Sequence, residues 1–158
     1  MEITWEDLKI DTTSIDFQSL VESWVWLIGT NKRPILISSI GDLFLSDNDD
    51  NCFWLNVGEG TIEKISSSIE EFKSKLNDEE QVNEWFLPEL VAQIKLSGLE
   101  LCYKKLFSYK KLPVLGGEYI PENFELFDVE VHFGLNGDIH RQIKDLPDGT
   151  KVNFKIED

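Results

Sequence analysis

Basic side chains are scarce. Only 15 Lys and Arg stand against 30 Asp and Glu in 158 residues, a formal net charge of −15. Proteins bind phosphate backbones with Lys and Arg that release condensed counterions, so this deficit argues against nucleic acid and anionic membrane surfaces as partners. Histidine is rarer still. Any imidazole mechanism or zinc site would have to use His132 and His140, and zinc wants three or four ligands. The two cysteines, Cys52 and Cys102, lack the spacing of a metal or redox pair and read as reduced, buried thiols of a cytoplasmic protein. The longest apolar run, Trp24-Val25-Trp26-Leu27-Ile28, falls far short of the ~20 residues that cross a bilayer. The first residues, Met1-Glu2-Ile3-Thr4-Trp5-Glu6-Asp7, show neither the basic nor the apolar part of a secretory signal.

Large apolar side chains are plentiful, with hydrophobic residues at 41% and five Trp and ten Phe, which distinguishes this chain from a disordered acidic one. No repeat, low-complexity run or Pro/Gly/Ser linker divides it, so residues 1–158 read as one domain. The acids are spread along it, with 16 against 6 bases in residues 1–79 and 14 against 9 in residues 80–158.

Periodicity gives an α+β fold: antiparallel β-meander and hairpins packed with about three to four helices. Phe17, Leu20, Val21, Trp24 and Leu27 or Ile28 form the apolar stripe of a helix over residues 14–28, capped by Thr13 or Ser14 and ended by Gly29. After Pro34-Ile35-Leu36-Ile37 come two apolar strands, residues 41–46 and 52–57, flanking the acidic turn Asp47-Asn48-Asp49-Asp50-Asn51. A third strand follows the Gly58-Glu59-Gly60 turn. Ser67 with Glu70, or Ser68 with Glu71, has capping-box spacing before a helix bearing Ile69, Phe72 and Leu76. Val82, Trp85, Phe86, Leu90, Val91 and Ile94 mark two short helices or one kinked at Pro88. Residues 106–109 read as a strand and 112–119 as a turn-rich crossing. The alternation of Val129, Val131, Phe133 and Leu135 with polar residues predicts a half-buried strand, which Asn136-Gly137 turns into a hairpin with residues 138–143. Asp148-Gly149 signals a last turn before a strand over residues 152–156.

Little of this carries chemistry. Asp47-x-Asp49-x-Asn51 copies the start of a calcium loop, but Cys52 stands where Gly is required and Gly58 where a bidentate Glu is required, so it reads as a solvated turn. In the expected hairpin, His132 faces Arg141 and His140 faces Phe133 on the opposite side, unless a bulge brings the two imidazoles together. No Gly-x-Ser-x-Gly is present, neither Cys lies in a catalytic motif, and Gly116-Gly117 and Gly58-Glu59-Gly60 lack the Lys and the strand-to-helix context of phosphate loops. No cofactor or metal is expected. The aromatic pieces Trp24-Val25-Trp26, Phe53-Trp54 and Trp85-Phe86 read as core before binding face.

Several stretches in order, Gly41-Asp42-Leu43-Phe44-Leu45, the acidic turn, Trp54-Leu55-Asn56-Val57-Gly58-Glu59-Gly60 and Ile65-Ser66-Ser67-Ser68-Ile69-Glu70-Glu71-Phe72, resemble the C-terminal domain of type VI secretion immunity proteins. The resemblance is clearest over residues 24–98 and continues into Leu115-Gly116-Gly117-Glu118-Tyr119 and Val131-His132-Phe133. In that family the domain follows a GAD-like domain and the pair neutralises a DNase toxin delivered between bacteria; here the stretch before Trp24 is too short for one, so a stand-alone version is expected. The resemblance brings no catalytic residues. It implies a cytoplasmic, non-catalytic protein that binds a basic toxin partner, of the nuclease class. An acidic surface is steered towards the basic cleft of a nuclease, and the acids at expected turns, Asp47, Asp49, Asp50, Glu59 and Glu118, are the expected contacts. Two rivals stand beside it: an enzyme or small-ligand binder with a pocket near His132 and Tyr119, and an interaction adaptor with a housekeeping role.

Overall fold

A computed structural model describes residues 2–147. Four strands, β1 (Arg33–Ile37), β2 (Leu43–Ser46), β3 (Cys52–Asn56) and β4 (Thr61–Ser66), form an antiparallel sheet in sequential order. The meander therefore has one strand more than the three expected, because Arg33–Ile37 pairs along β2, with a bulge between Pro34 and Leu36. A separate hairpin joins β5 (Lys105–Tyr109) to β6 (Phe124–Asp128), the latter absent from the sequence reading. The α+β class holds, with more helices than expected.

Side chains alternate between two apolar clusters. Phe44, Cys52, Trp54 and Ile65 point to one face of the sheet, and Leu43, Leu45, Leu55 and Ile62 to the other. The first face is covered by α4 (Ile69–Lys75), α5 (Glu79–Phe86) and α6 (Pro88–Leu96) through Phe72, Trp85, Phe86, Val91 and Ile94. The second is covered by α2 (Phe17–Val21), a 3-10 turn over Glu22–Trp24 and α7 (Val129–Ile143), through Leu20, Val21, Trp24, Val129 and Phe133. Burial on both faces is why β2 reads as an unbroken apolar run rather than an alternation. Phe44 is the hub of the first face, its ring 5.2 Å from Phe86, 5.6 Å from Phe72 and 5.8 Å from Trp85. Pairs of this kind are worth roughly 0.5–1.5 kcal/mol each beyond the area they bury. Trp24, Trp54 and Trp85 are core residues, as expected of the aromatic pieces.

Helix ends follow local chemistry. The Asp16 carboxylate accepts the Gln18 N–H at 3.1 Å and starts α2 there, later than Thr13 or Ser14 would have done. After the 3-10 turn the segment finishes as α3 (Val25–Ile28), ended by Gly29 at φ +75°. Ser68 caps α4 by accepting the Glu71 N–H at 3.1 Å. The residues around Pro88 form two helices, with Leu87 in the left-handed conformation at φ +47° between them. Ahead of these, α1 (Trp5–Leu8) is tied to α6 by the Asp7–Lys95 ion pair.

The largest departure from the sequence reading is residues 129–143, which form α7 and not a hairpin. The residues it buries are Val129, His132, Phe133, Asn136, Gly137 and His140, a helical spacing. Three of its inward positions are polar, so the alternating valines dominated the pattern, yet Val131 is half exposed. Gly137 is no turn residue: a Cβ there would sit 2.4 Å from Ser23 Oγ and 2.7 Å from Ser23 O, so glycine lets α7 lie against the 3-10 turn. The two imidazoles, separated by two helical turns, share the inward face. Cys102 also departs from expectation: Cys52 is buried, but Cys102 is exposed in the loop after α6. The expected turn at Asp148-Gly149 and the strand after it lie outside the described residues.

The role of Gly41, a glycine of the resemblance motifs, is tested by comparison with Gly98, another glycine of positive φ. A Cβ on Gly41, at φ +89°, would fall 2.1 Å from His132 Nε2, whereas a Cβ on Gly98, at φ +108°, meets nothing within 4 Å. Both alanine variants carry backbone strain of about 1–2 kcal/mol. Gly41→Ala must also displace His132, so it is expected to lose at least about 2 kcal/mol more than Gly98→Ala in urea denaturation.

Candidate functional site

Between β1 and β2 the chain reverses in a tight turn: the Ser38 N–H donates to Asp42 O at 2.9 Å, and the Asp42 N–H donates to Ser38 Oγ at 3.0 Å. The turn presents the Asp42 carboxyl to the interior, where it is 2% exposed. One oxygen accepts the Val57 N–H at 3.0 Å and the other the Trp54 indole N–H, also at 3.0 Å. Burial pushes this carboxyl up to about 7, against the lowering effect of those two donors.

Helix α7 holds both backbone segments that hold Asp42. His132 Nε2 lies 2.9 Å from Gly41 O, and its Nδ1 lies 2.7 Å from Ser108 Oγ and 3.3 Å from Asn136 Nδ2. A carbonyl only accepts, so Nε2 carries the proton and Nδ1 accepts from Ser108 and Asn136. His140 Nε2 donates to Val57 O at 2.7 Å, on the residue whose N–H reaches Asp42. Burial pushes both imidazoles down, His132 to about 4, so both are neutral at physiological pH. Gly60 makes room for His140 as Gly41 does for His132, since a Cβ at Gly60 would lie 2.3 Å from His140 Nδ1.

In front of Asp42 is a cavity of about 260 Å³. Ile40, Asp42, Trp54 and Tyr109 form its buried part, Asn56 and Leu87 its half-buried sides, and Glu84 of α5 and Tyr119 of the crossing its exposed rim. Tyr119 Oη donates to Glu59 Oε1 at 3.1 Å, and its ring meets Tyr109 edge-on at 6.1 Å. Burial and Glu59 raise the Tyr119 hydroxyl, and burial raises that of Tyr109, so both stay protonated. Leu87 and Tyr119 also line a neighbouring, more open cavity of about 380 Å³ at the start of α6.

The expected contact residues fall at two ends of β3. Asp47, Asp49 and Asp50 form the β2–β3 tip. There the Asp47 carboxylate accepts the Asp49 N–H at 2.9 Å, the Asn51 N–H at 3.0 Å and the Asn51 side-chain amide at 3.0 Å, which hold it below the usual carboxylate range. Asp49 is exposed, and Asp50 carries an exposed ion pair with Arg33 at 3.4 Å. Glu59 and the exposed Glu118 lie at the other end, roughly 16 Å away by strand rise, where Tyr119 links them. Of the two residues expected to line a pocket, Tyr119 does so, while His132 is fully buried behind the Gly41 turn. Among the described residues no three His, Cys, Asp or Glu are grouped to hold a metal, and no helix is long and apolar enough to cross a membrane. Asp42 was visible in sequence as an acid inside the apolar run Gly41-Asp42-Leu43-Phe44-Leu45, but nothing there indicated that it faces a cavity.

Asp42 and His132 impose opposite pH dependences on stability. The folded state keeps Asp42 protonated between about 4 and 7, where the unfolded chain releases that proton, so its contribution falls as pH rises through this window. His132 is neutral when folded between about 4 and 6.5, where the unfolded chain binds a proton, so its contribution rises with pH there. The Asp42→Asn variant should therefore gain on the parent protein by a few kcal/mol between pH 4 and 7, at about 1.4 kcal/mol per pKa unit. Parallel denaturation series would measure this, and a difference that stays constant with pH would contradict the assignment.

Comparison with known proteins bears on fold and family. The crystal structure of Atu4351 from Agrobacterium tumefaciens superposes with a TM-score of 0.50 at 14% identity, over 76% of this chain and 63% of that one. The chain thus spans less than two thirds of that structure, and at this identity the likeness is one of fold. No curated protein matches. A family model matches residues 66–140, which run from the end of β4 to His140 and include Glu84, Leu87, Tyr109, Tyr119 and both histidines. The family that the sequence motifs resemble is therefore the one whose model this segment matches, that of T6SS immunity protein Tdi1, C-terminal.

Proposed function

We propose that this protein is a non-catalytic immunity protein that acts in the cytoplasm, binding and neutralising a toxin delivered by a type VI secretion system. The match of residues 66–140 to the Tdi1 C-terminal family carries this reading. The net charge of −15 supports a basic partner, and a nuclease, whose cleft must attract phosphate, is the toxin class that such a surface suits. Contact is made through the acids at the two ends of β3: Asp47, Asp49 and Asp50 at the tip, and Glu59 and Glu118 beside Tyr119. Occlusion of a basic cleft needs only surface complementarity and rapid encounter, which distributed carboxylates supply.

The test is co-purification with toxin-domain proteins encoded beside this gene, followed by association kinetics. Asp49→Lys with Asp50→Asn, and separately Glu59→Lys with Glu118→Lys, should slow association by about tenfold at low salt and less at high salt. Asp47 is left in place because its side chain builds the turn. Failure to capture any such toxin would remove the immunity reading. Capture with unchanged kinetics in both double variants would remove the acidic contacts alone.

A further inference from the structure

We infer that the cavity in front of Asp42 is a receptor for one organic cation, an ammonium or guanidinium head group held by Asp42 and Glu84 between the rings of Trp54, Tyr109 and Tyr119. Its lining has two carboxyl groups and three aromatic rings and no Lys, Arg or His. Aromatic faces attract cations, and most strongly where water is excluded. Each Asp42 oxygen receives one protein donor, from Val57 or Trp54, whereas a carboxylate accepts about four hydrogen bonds, so capacity remains for donors from the cavity. An anion would meet Asp42 and Glu84, and an apolar group would leave Asp42 without its further donors, so a multiply donating cation is the chemistry that fits. The volume, about 260 Å³, lies below the usual range for whole small-molecule ligands and suits a single head group. The neighbouring cavity, reached past Leu87 and Tyr119 and bordered by Asn83 and Gln93, gives room for the chain that carries it.

Such a head group has two sources, a free small molecule or a Lys or Arg side chain of a protein partner. The second rests on the immunity reading given above; the chemistry of the site does not. Because a cation displaces the proton of Asp42, binding should tighten with rising pH. Glu84 faces Asp42 from α5, Glu59 through Tyr119 from the β3–β4 turn and Tyr109 from β5, while neutral His132 stands behind Gly41.

The experiment titrates the full-length, nitrogen-15-labelled protein with N-acetyl-arginine methylamide and with its neutral citrulline counterpart. The Trp54 indole N–H and the Val57 amide, both donors to Asp42, report on the site by NMR. Both signals should shift saturably with the arginine compound, with the citrulline compound at least about tenfold weaker and affinity rising about tenfold from pH 5.5 to 7. Glu84→Gln and Tyr119→Ala, at the exposed rim, should each weaken binding about three- to tenfold in a protein that still folds, so the outcome does not hang on the buried Asp42→Asn variant. Equal binding of the two compounds, shifts confined to other parts of the protein, or no saturable shift up to about 100 mM would overturn the inference. If a captured toxin moves the same two signals and its affinity drops in the rim variants, the cation is the partner's. If those variants lose the arginine compound but keep the toxin, it is a free molecule. Should no toxin be captured, the immunity reading fails while the titration still decides the site.

Discussion

Two imidazole N–H groups on one helix face, eight residues apart, donate to the carbonyls of Gly41 and Val57. Those carbonyls belong to the two chain reversals on either side of Asp42, so α7 fixes the turn that carries the acid and the strand end that donates to it. Each such bond contributes about 1 kcal/mol net, but a buried carbonyl or imidazole left without a partner costs about 1–3 kcal/mol. Replacing His132 by an apolar residue would therefore strand the Gly41 carbonyl together with the Ser108 hydroxyl and the Asn136 amide, and replacing His140 would strand the Val57 carbonyl. Burial keeps the rings neutral, and neutrality is what lets Nδ1 of His132 accept from Ser108 and Asn136 while Nε2 donates.

That clasp explains the motif glycines. Gly41 and Gly60 both have positive φ, and each would drive a Cβ into one of the two imidazoles. They stand in separate turns of the meander and answer to positions eight apart on a helix near the end of the chain. The sheet between them is covered on both faces, with the Phe44 aromatic group on one side and Trp24, Leu43 and Phe133 on the other. A buried carboxyl group is tolerable in such a core because it holds its proton up to about pH 7 and the indole N–H of Trp54 and the Val57 amide donate to its two oxygens.

Much of the first two thirds was legible in sequence because its signals are local. The Ser68 cap, the break at Pro88, the acidic turn and the apolar strands each depend on neighbours within a few residues. In the final third the strand at residues 106–109 was legible as β5 but α7 was not, because its inward positions are chosen by distant partners. His132 and His140 are where a helical stripe would ordinarily show Leu or Ile, and they are there for Gly41 and Val57, more than 80 residues away. Asn136-Gly137 signals a turn in isolation, yet here the pair serves helix packing against Ser23 and the hydrogen bond to His132. The cavity was hidden for the same reason: Asp42, Glu84 and Tyr119 come from three separate segments that only the fold brings together.

The β2–β3 tip is stitched together by Asp47 and Asn51 and braced from β1 by Arg33, whose guanidinium reaches Asp47 O and Asp50 Oδ1. Asn48 and Asp49 are exposed and owe nothing to the turn through their side chains, while Asp50, at φ +63°, is confined to residues that tolerate a left-handed backbone. The loop is thus divided into fixed posts and free slots. A lineage can rewrite the charge and shape of positions 48 and 49 by single substitutions while the sheet beneath stays unchanged, so recognition there can drift as fast as an opposing surface does.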